Sequence, residues 1–355
     1  MVSGPIRLGS PLHAADDAQI RPPRTDLVRV LAAEDPRDLH DVIEIMRDPR
    51  CQELPRFVGD LPHDVMIYPD PSARSLERSQ SRTRTLDRVP ELPEVEYIRR
   101  QLHRAMAGAR IRRVIVRRPT LRHPLPPGFA ARLQGQTVRA VERRAKYLIV
   151  ELSSGERLLM HLGMSGWFRA RPAQLEPHDH VVFEMSNGNV VAFNDPRRFG
   201  FMLLLKAAEY AGHKALRRLG PEPLGPKFDA RALATALARR KTSLKVALAD
   251  QRVVGGLGNI YVVEALHRAR LSPKRRASTV VTSSGAPRPA VYELVDAIRD
   301  ALKEAIARQH RTRGGNPFRV YDREGEPCPR RGCRGTIRRI IQAGRSTYYC
   351  PVCQR

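Results

Sequence analysis

No run of apolar residues in this 355-residue chain approaches the roughly 20 that a membrane-spanning helix needs. No charged-then-apolar segment of the signal type opens it. These absences point to a soluble protein of the cell interior, and a cytoplasmic location is expected. Acidic side chains are scarce beside basic ones: 37 Asp and Glu stand against 63 Lys and Arg, a formal charge of +26. So lopsided a balance is foreign to a typical metabolic enzyme and calls for a polyanionic partner, most simply nucleic acid. Attachment to ribosomes or to a membrane surface would give the same bulk charge. Cysteine is also rare, with five in all and four of them between 328 and 353. Cys51 stands alone and reads as an incidental thiol. No strand pattern precedes the Gly-rich turn at 255–258, which excludes a dinucleotide pocket there.

What is present falls into four stretches. Residues 1–88 are rich in Pro, Arg, Asp and Ser. They hold one short apolar patch, Leu39 to Met46, and end in a basic run. We read them as disordered or as absent from the working protein. From Pro90 the pattern changes. PELPEVEYIRRQLHRAM reads as a helix, with Pro93 early, acids in the first turn, and apolar residues Val95, Ile98, Leu102 and Met106 at helical spacing. Short apolar runs follow to about residue 205, among them IRRVIV, YLIVEL, HVVFEM and NVVAF, separated by Gly, Asn, Pro and Ser. That rhythm predicts an antiparallel sandwich or barrel. Residues 206–310 read as helices, including LKAAEYAGHKALRRL, DARALATALARRK, SLKVALADQRVV, one beginning near Asn259, and a long closing helix. A Pro/Ser/Gly-rich linker is expected at 276–289. Residues 311–355 carry the cysteines.

Those cysteines are the most specific signal: Cys328-x4-Cys333-x16-Cys350-x2-Cys353. Two close pairs around a hairpin-length segment suit one tetrahedral zinc. Four thiolates leave no open position, so the role is structural, and a unit this small folds only with its metal. The intervening TIRRIIQAGRSTYY predicts two strands turning at Gly344. Several loops of the sandwich look unlike core: RRAKYL (143–148) with Lys146, HLGMSG (161–166) with Met164, HDH (178–180) with His180, and NDPRRFG (194–200) with Arg197 and Phe199. Each singly has a plain explanation, as a surface lysine, a core methionine, a capping histidine or a solvated arginine pair. Together they put basic and apolar groups on loops, as a protein needs to hold a phosphate backbone and push a wedge into a base stack.

PELPEVE, RRAKYL, HLGMSG, NDPRRFG, LGPEPL, GLGNIYVVEAL and the terminal cysteine hairpin occur here in one order. In this the chain resembles the bacterial formamidopyrimidine-DNA glycosylase family across about residues 90–355. The resemblance implies an α+β fold: an N-terminal helix plus antiparallel β-sandwich, a helical domain with a helix–two-turn–helix, and a zinc-ribbon-like β-hairpin, with double-stranded DNA between the lobes. It implies removal of oxidised purines, 8-oxoguanine or formamidopyrimidines, followed by β,δ-elimination at the abasic site. Pro90 would be the Schiff-base nucleophile and Glu91 the proton donor. Lys146 and Arg345 would donate protons to the eliminations or contact phosphate. Met164, Arg197 and Phe199 would fill the hole left by the flipped base. His180, Lys245 and Asn259 would face DNA, and Glu264 matches a family acid of less defined role. A monomer is expected.

Two departures stand out. Val89 and 88 further residues precede Pro90, so its nitrogen is an amide in the chain as written, with no lone pair to attack with. Valine is what a GTG start codon appears to encode when a reading frame opens too far upstream, so we expect the working protein to begin at residue 89 and lose that residue. The second departure is Arg311 to Pro327, which bridges the last helix to the hairpin where the family carries a longer loop over the flipped base. That leaves the preference between 8-oxoguanine and formamidopyrimidines open. Two other readings remain: a catalytically silent binder of damaged DNA, and an oxidised-pyrimidine glycosylase of the endonuclease VIII type, against which HLGMSG and NDPRRF argue.

Overall fold

The computed structural model describes residues 89–308 and 316–355. The patch Leu39 to Met46, Cys51 and the basic run before Val89 lie outside them. The fold is α+β.

Helix α1 (Leu92–Met106) opens the described chain. Glu91 caps it: its N–H donates to the Glu94 carboxylate at 3.0 Å, and Pro93 sits where no intrahelical N–H is needed. The sandwich follows. One antiparallel sheet has the order β1 (Ile111–Val116), β6 (Asp179–Met185), β7 (Val190–Asn194), β5 (Trp167–Ala170). The other has the order β2 (Val138–Arg144), β3 (Tyr147–Leu152), β4 (Arg157–His161), β8 (Phe201–Leu205). A short helix, α2 (Phe129–Leu133), lies between β1 and β2. The two inner faces and most of α1 share one core, in which Val95, Ile98 and Leu102 meet Val141, Leu148, Phe168 and Phe193. Strand β5 was not anticipated, because only one of its four residues is buried and so it shows no apolar run.

The helical lobe contains α3 (Ala207–Gly212), α4 (Ala230–Leu237), α5 (Leu244–Ala249), α6 (Asn259–Arg268) and α7 (Pro289–Arg308). Two of the expected helices are shorter than their apolar pattern. LKAAEYAGHKALRRL is helical only to Gly212. The helix in SLKVALADQRVV stops at Ala249, because Asp250 turns extended and its carboxylate takes the Arg252 N–H and the Arg240 and Arg252 guanidiniums. The stretch 276–289 is part of the lobe and not a linker. Ala277, Val280 and Val281 are buried in the helical core, and Ala277 N–H reaches the Thr242 carbonyl at 2.9 Å. Leu92 of α1 also belongs to this second core, so α1 is packed into both lobes.

The C-terminal hairpin pairs β9 (Arg338–Gln342) with β10 (Arg345–Tyr349) through Ala343 and Gly344, both in the left-handed region (φ 47° and 68°). The run FRVYDREGEPC, strand-like in sequence, is a series of turns, and the amides of Arg319, Val320 and Tyr321 within it are taken by Glu264 on α6.

Candidate active site and nucleic-acid interface

Helix α6 builds the centre of the site. Its first amides have no partner within the helix, and the Glu91 carboxylate supplies one: Oε1 accepts from Ile260 N–H at 3.0 Å and Oε2 from Tyr261 N–H at 3.4 Å. The carboxylate is buried, and Gly258 lies so close that a Cβ there would fall on it. Gly256, at φ 91°, packs against Leu92 and Ala145, and Leu92 N–H donates to its carbonyl. The Gly-rich turn thus exists to let α6 approach the start of α1. Glu91, and Pro90 directly before it, are fixed at the junction of the lobes.

Glu94 completes this corner. It accepts from Glu91 N–H and from Tyr261 Oη–H, the latter at 2.8 Å. Burial, then the neighbouring Glu91 charge, pushes its pKa from 4.5 up to about 7. Two basic side chains lie within the field of Glu91. Lys146 follows Ala145, a non-glycine residue at φ 54°, whose N–H donates to Glu222 across the lobe junction at 2.5 Å. Arg143 and Arg144 hold the same Glu222, at 2.8 and 3.0 Å. Burial lowers the pKa of Lys146, while Glu91 opposes that shift and Arg345 adds to it. Lys245 on α5 is 1% exposed, and burial with Arg345 lowers its pKa to about 8. Glu91, Lys146, Lys245 and Arg345 therefore feel one another's charge.

Met164, Arg197 and Phe199 sit on two loops packed backbone to backbone. Gly163 (φ 65°) leaves no room for a Cβ against Phe199 and Gly200. Buried Asp195 accepts from Ser165 Oγ–H at 2.6 Å and Gly200 N–H at 2.8 Å, tying the loops together. Phe199 is 41% exposed, with the Arg197 guanidinium 5.2 Å from its ring centre, and Met164, next to Gly163 on the loop packed against theirs, is half-buried. His180 is different from expectation. It is buried, with Nε2 2.8 Å from the Asp195 carbonyl, so it braces the loop at 194–200 from behind instead of facing outward. His161 supports the other loop: its Nδ1 accepts from Gly163 N–H at 3.0 Å, and burial holds it neutral with a pKa of about 4.

Asn259, the first residue of α6, donates to the Ser346 carbonyl beside Arg345 at 3.0 Å, and its Oδ1 is buried without a partner. Glu264, one and a half turns on, accepts from the amides of Arg319, Val320 and Tyr321 at 2.9–3.0 Å. The role left open for it is therefore to anchor the lead-in to the hairpin. At the far end of α6, His267 Nε2 is 3.3 Å from Cys328 Sγ. The four cysteine sulfurs lie within 4.8 Å of one another, with Cys328–Cys353 at 3.8 Å and Cys333–Cys350 at 3.6 Å. A disulfide needs about 2 Å. Tetrahedral zinc with bonds of about 2.3 Å sets its sulfurs roughly 3.8 Å apart. The residues fit one zinc. Gly335 is required beside it, since a Cβ there would press on Cys350 Sγ and Val352.

Three family models match in order: the formamidopyrimidine-DNA glycosylase N-terminal domain at residues 89–202, the H2TH domain of the same enzymes at 219–314, and the zinc finger found in FPG and IleRS at 325–355. The chain belongs to the formamidopyrimidine-DNA glycosylase family. Among curated members, the formamidopyrimidine-DNA glycosylase of Rhodopseudomonas palustris BisB18 is 55% identical over 293 residues, covering 75% of this chain and all of that protein. That of Azorhizobium caulinodans is 54% identical with the same coverage. The Lactococcus lactis formamidopyrimidine-DNA glycosylase bound to abasic-site DNA superposes with a TM-score of 0.66 at 32% identity, over 75% of this chain and all of that one. The MutM (Fpg) protein from Thermus thermophilus gives 0.63 at 36% identity, over 75% of this chain and 98% of that one.

The part of this chain that matches the family is short. Three quarters of 355 residues is about 266, set against 293 aligned positions, so some two dozen positions of the Rhodopseudomonas relative have no counterpart here. Helix α7 ends at Arg308, whose guanidinium already reaches the Pro317 carbonyl at 3.0 Å. Sequence reasoning had missed Glu94, Tyr261, Asp195, Glu222, Gly258 and His267. Glu94 and Gly258 carried a signal, one helical turn from Glu91 and one residue before α6. The partners of Glu222 and His267 are over 60 positions away in sequence and gave none.

Proposed function

We propose that this protein is a bifunctional DNA glycosylase and abasic-site lyase that removes oxidised purines from duplex DNA, with Pro90 as nucleophile. The single observation that carries the reading is the corner where Glu91, held by the first amides of α6, lies next to Pro90 and within the field of Lys146, Lys245 and Arg345. A secondary amine there attacks C1′ of the damaged nucleotide, forms the C–N bond as the base departs, and opens the sugar to a Schiff base. Its reference pKa near 8 leaves a useful neutral fraction at working pH. Glu91 is the group placed to carry protons to and from the sugar ring. The iminium acidifies the adjacent sugar protons, and loss of one expels the neighbouring phosphate. Lys146 and Arg345 neutralise the departing phosphates or donate to them, and Asn259 beside Arg345 grips the backbone. Met164, Arg197 and Phe199 fill the vacated stack, offsetting part of the few kcal/mol that flipping costs. Lys245 faces the damaged base, and His180 acts by bracing the wedge. Zinc, held by Cys328, Cys333, Cys350 and Cys353, cross-links the hairpin that presents Arg345 and takes no part in bond making.

The lobes are assigned as 90–205, 206–310 and 311–355, with α1 serving the first two. The protein is assigned as a monomer of the bacterial cytoplasm: one cleft takes one lesion, and no helix among the described residues is long and apolar enough to cross a membrane.

The family match begins at Val89, directly before Pro90. We therefore assign the active form to a chain whose first residue is Pro90. A protein produced with Met before Pro90, compared with the 355-residue chain, tests this on duplexes holding 8-oxoguanine or a formamidopyrimidine. Borohydride should trap a covalent adduct with the first protein, and that protein should nick the strand. No adduct from it on either lesion sinks the reading. A second reading draws on the peptide bond Val89–Pro90: if residues 1–88 persist in the cell, the protein binds damaged DNA without cutting it. The N-terminal mass of the protein purified from its own cells decides between them.

A further inference from the structure

His267 belongs to none of the chemistry above. It sits on the last turn of α6, 1% exposed, and its ring has one polar neighbour among the described residues: Nε2 lies 3.3 Å from Cys328 Sγ. Nδ1 is buried with no partner. A histidine in such a place costs more than an aromatic hydrocarbon of similar size unless its one contact matters. A zinc-bound sulfur is a thiolate, with lone pairs and no proton, so the ring must be the donor. The Arg330 guanidinium reaches the His267 carbonyl from the cysteine side, at 2.5 Å, and fixes the helix end against the site.

We propose that His267 is a positioning residue of the zinc site, donating Nε2–H to the Cys328 thiolate and shielding that sulfur from oxidants. Attack on a zinc thiolate follows the charge on the sulfur as well as access to it. A hydrogen bond draws that charge off and occupies a lone pair. Against hydrogen peroxide the thiolate would form an S–O bond as the O–O bond breaks and hydroxide leaves. The sulfur is oxidised, the peroxide is reduced, and the sulfenic acid no longer holds zinc. His267 slows that step at Cys328.

The test uses the complete zinc-loaded protein and does not depend on its catalytic activity. Zinc release under hydrogen peroxide is followed with a chromogenic chelator in wild type, His267→Phe and His267→Gln. Release from His267→Phe should be about tenfold faster, and His267→Gln, which keeps an N–H, should recover most of the protection. In the cobalt(II)-substituted proteins the thiolate-to-metal absorption band should move for Phe and stay near wild type for Gln. His267→Met, of similar length and without an N–H, replaces Phe if that variant does not fold. Equal release rates in wild type and the variants lacking the N–H overturn the proposal. So does a Gln variant that behaves like Phe, which would reduce the ring to packing.

Discussion

Gly258 is the residue through which Glu91 can be tested without touching it. A methyl group there would fall on the Glu91 carboxylate, so Gly258→Ala must push Glu91 off the α6 amides. We expect single-turnover excision to fall by about 100-fold, in line with a roughly 1 Å misplacement of a reacting group, while DNA affinity changes little. Two titrations are also residue properties. The raised pKa of Glu94, about 7, means the folded protein prefers the protonated acid. Its contribution is whole below the unfolded value near 4.5 and is lost as pH rises through 7, an effect of about 3 kcal/mol. Denaturant melts should therefore show Glu94→Gln gaining on wild type between pH 5 and pH 8, and a constant difference would count against the shift. Lys245 runs the opposite way: its folded pKa of about 8 lies below the ordinary 10.5, so its burden is present below pH 8 and relieved as pH rises toward 10.5. A bound duplex brings negative charge to the site and favours the charged form. DNA binding near pH 8.5 should take up a proton, readable as a buffer-dependent calorimetric heat that Lys245→Met removes.

At the scale of elements, α1 and α6 explain both what the sequence disclosed and what it concealed. The period of Val95, Ile98 and Leu102 and the early Pro93 announced α1, and alternating runs announced seven of the eight sandwich strands, because a half-buried surface writes its period into the chain. The zinc ligands were legible because cysteines close in sequence stay close in space. The short α5 was not legible, since Asp250 ends it through partners on either side. Nor was the burial of His180, which is decided by Asp195 fifteen residues away. The turns at 318–327 were not legible either, because three successive amides there go to Glu264, over 50 positions earlier in the chain. Leu92 alone among the α1 residues is counted in the helical core. Leu92→Ala should cost about 2–4 kcal/mol and should weaken both lobes in a single transition. Two separated transitions in a melt would show that α1 does not join them.

For the whole molecule the charge of +26 sets the behaviour. Affinity for undamaged duplex should fall steeply with salt, with a log–log slope near −0.9 for each phosphate held, and Arg345→Ala should make that slope shallower by about one unit. The chain provides its own reporter. Trp167, its one tryptophan, is 38% exposed and directly follows the loop that carries Met164. Its emission should shift when DNA is bound and return on addition of salt, and an unchanged spectrum would place the duplex elsewhere.

The dependence of α1 on both lobes also bears on how the protein is made. Pro90 and Glu91 leave the ribosome before the rest of the fold, but the amides that hold Glu91 come some 170 residues later, and Arg345 is only ten residues from the last. A nascent or prematurely ended chain therefore carries Pro90 and Glu91 without the amides that hold the carboxylate. The corner around Glu91 therefore closes only after α6 has been made, and Arg345 joins it later still.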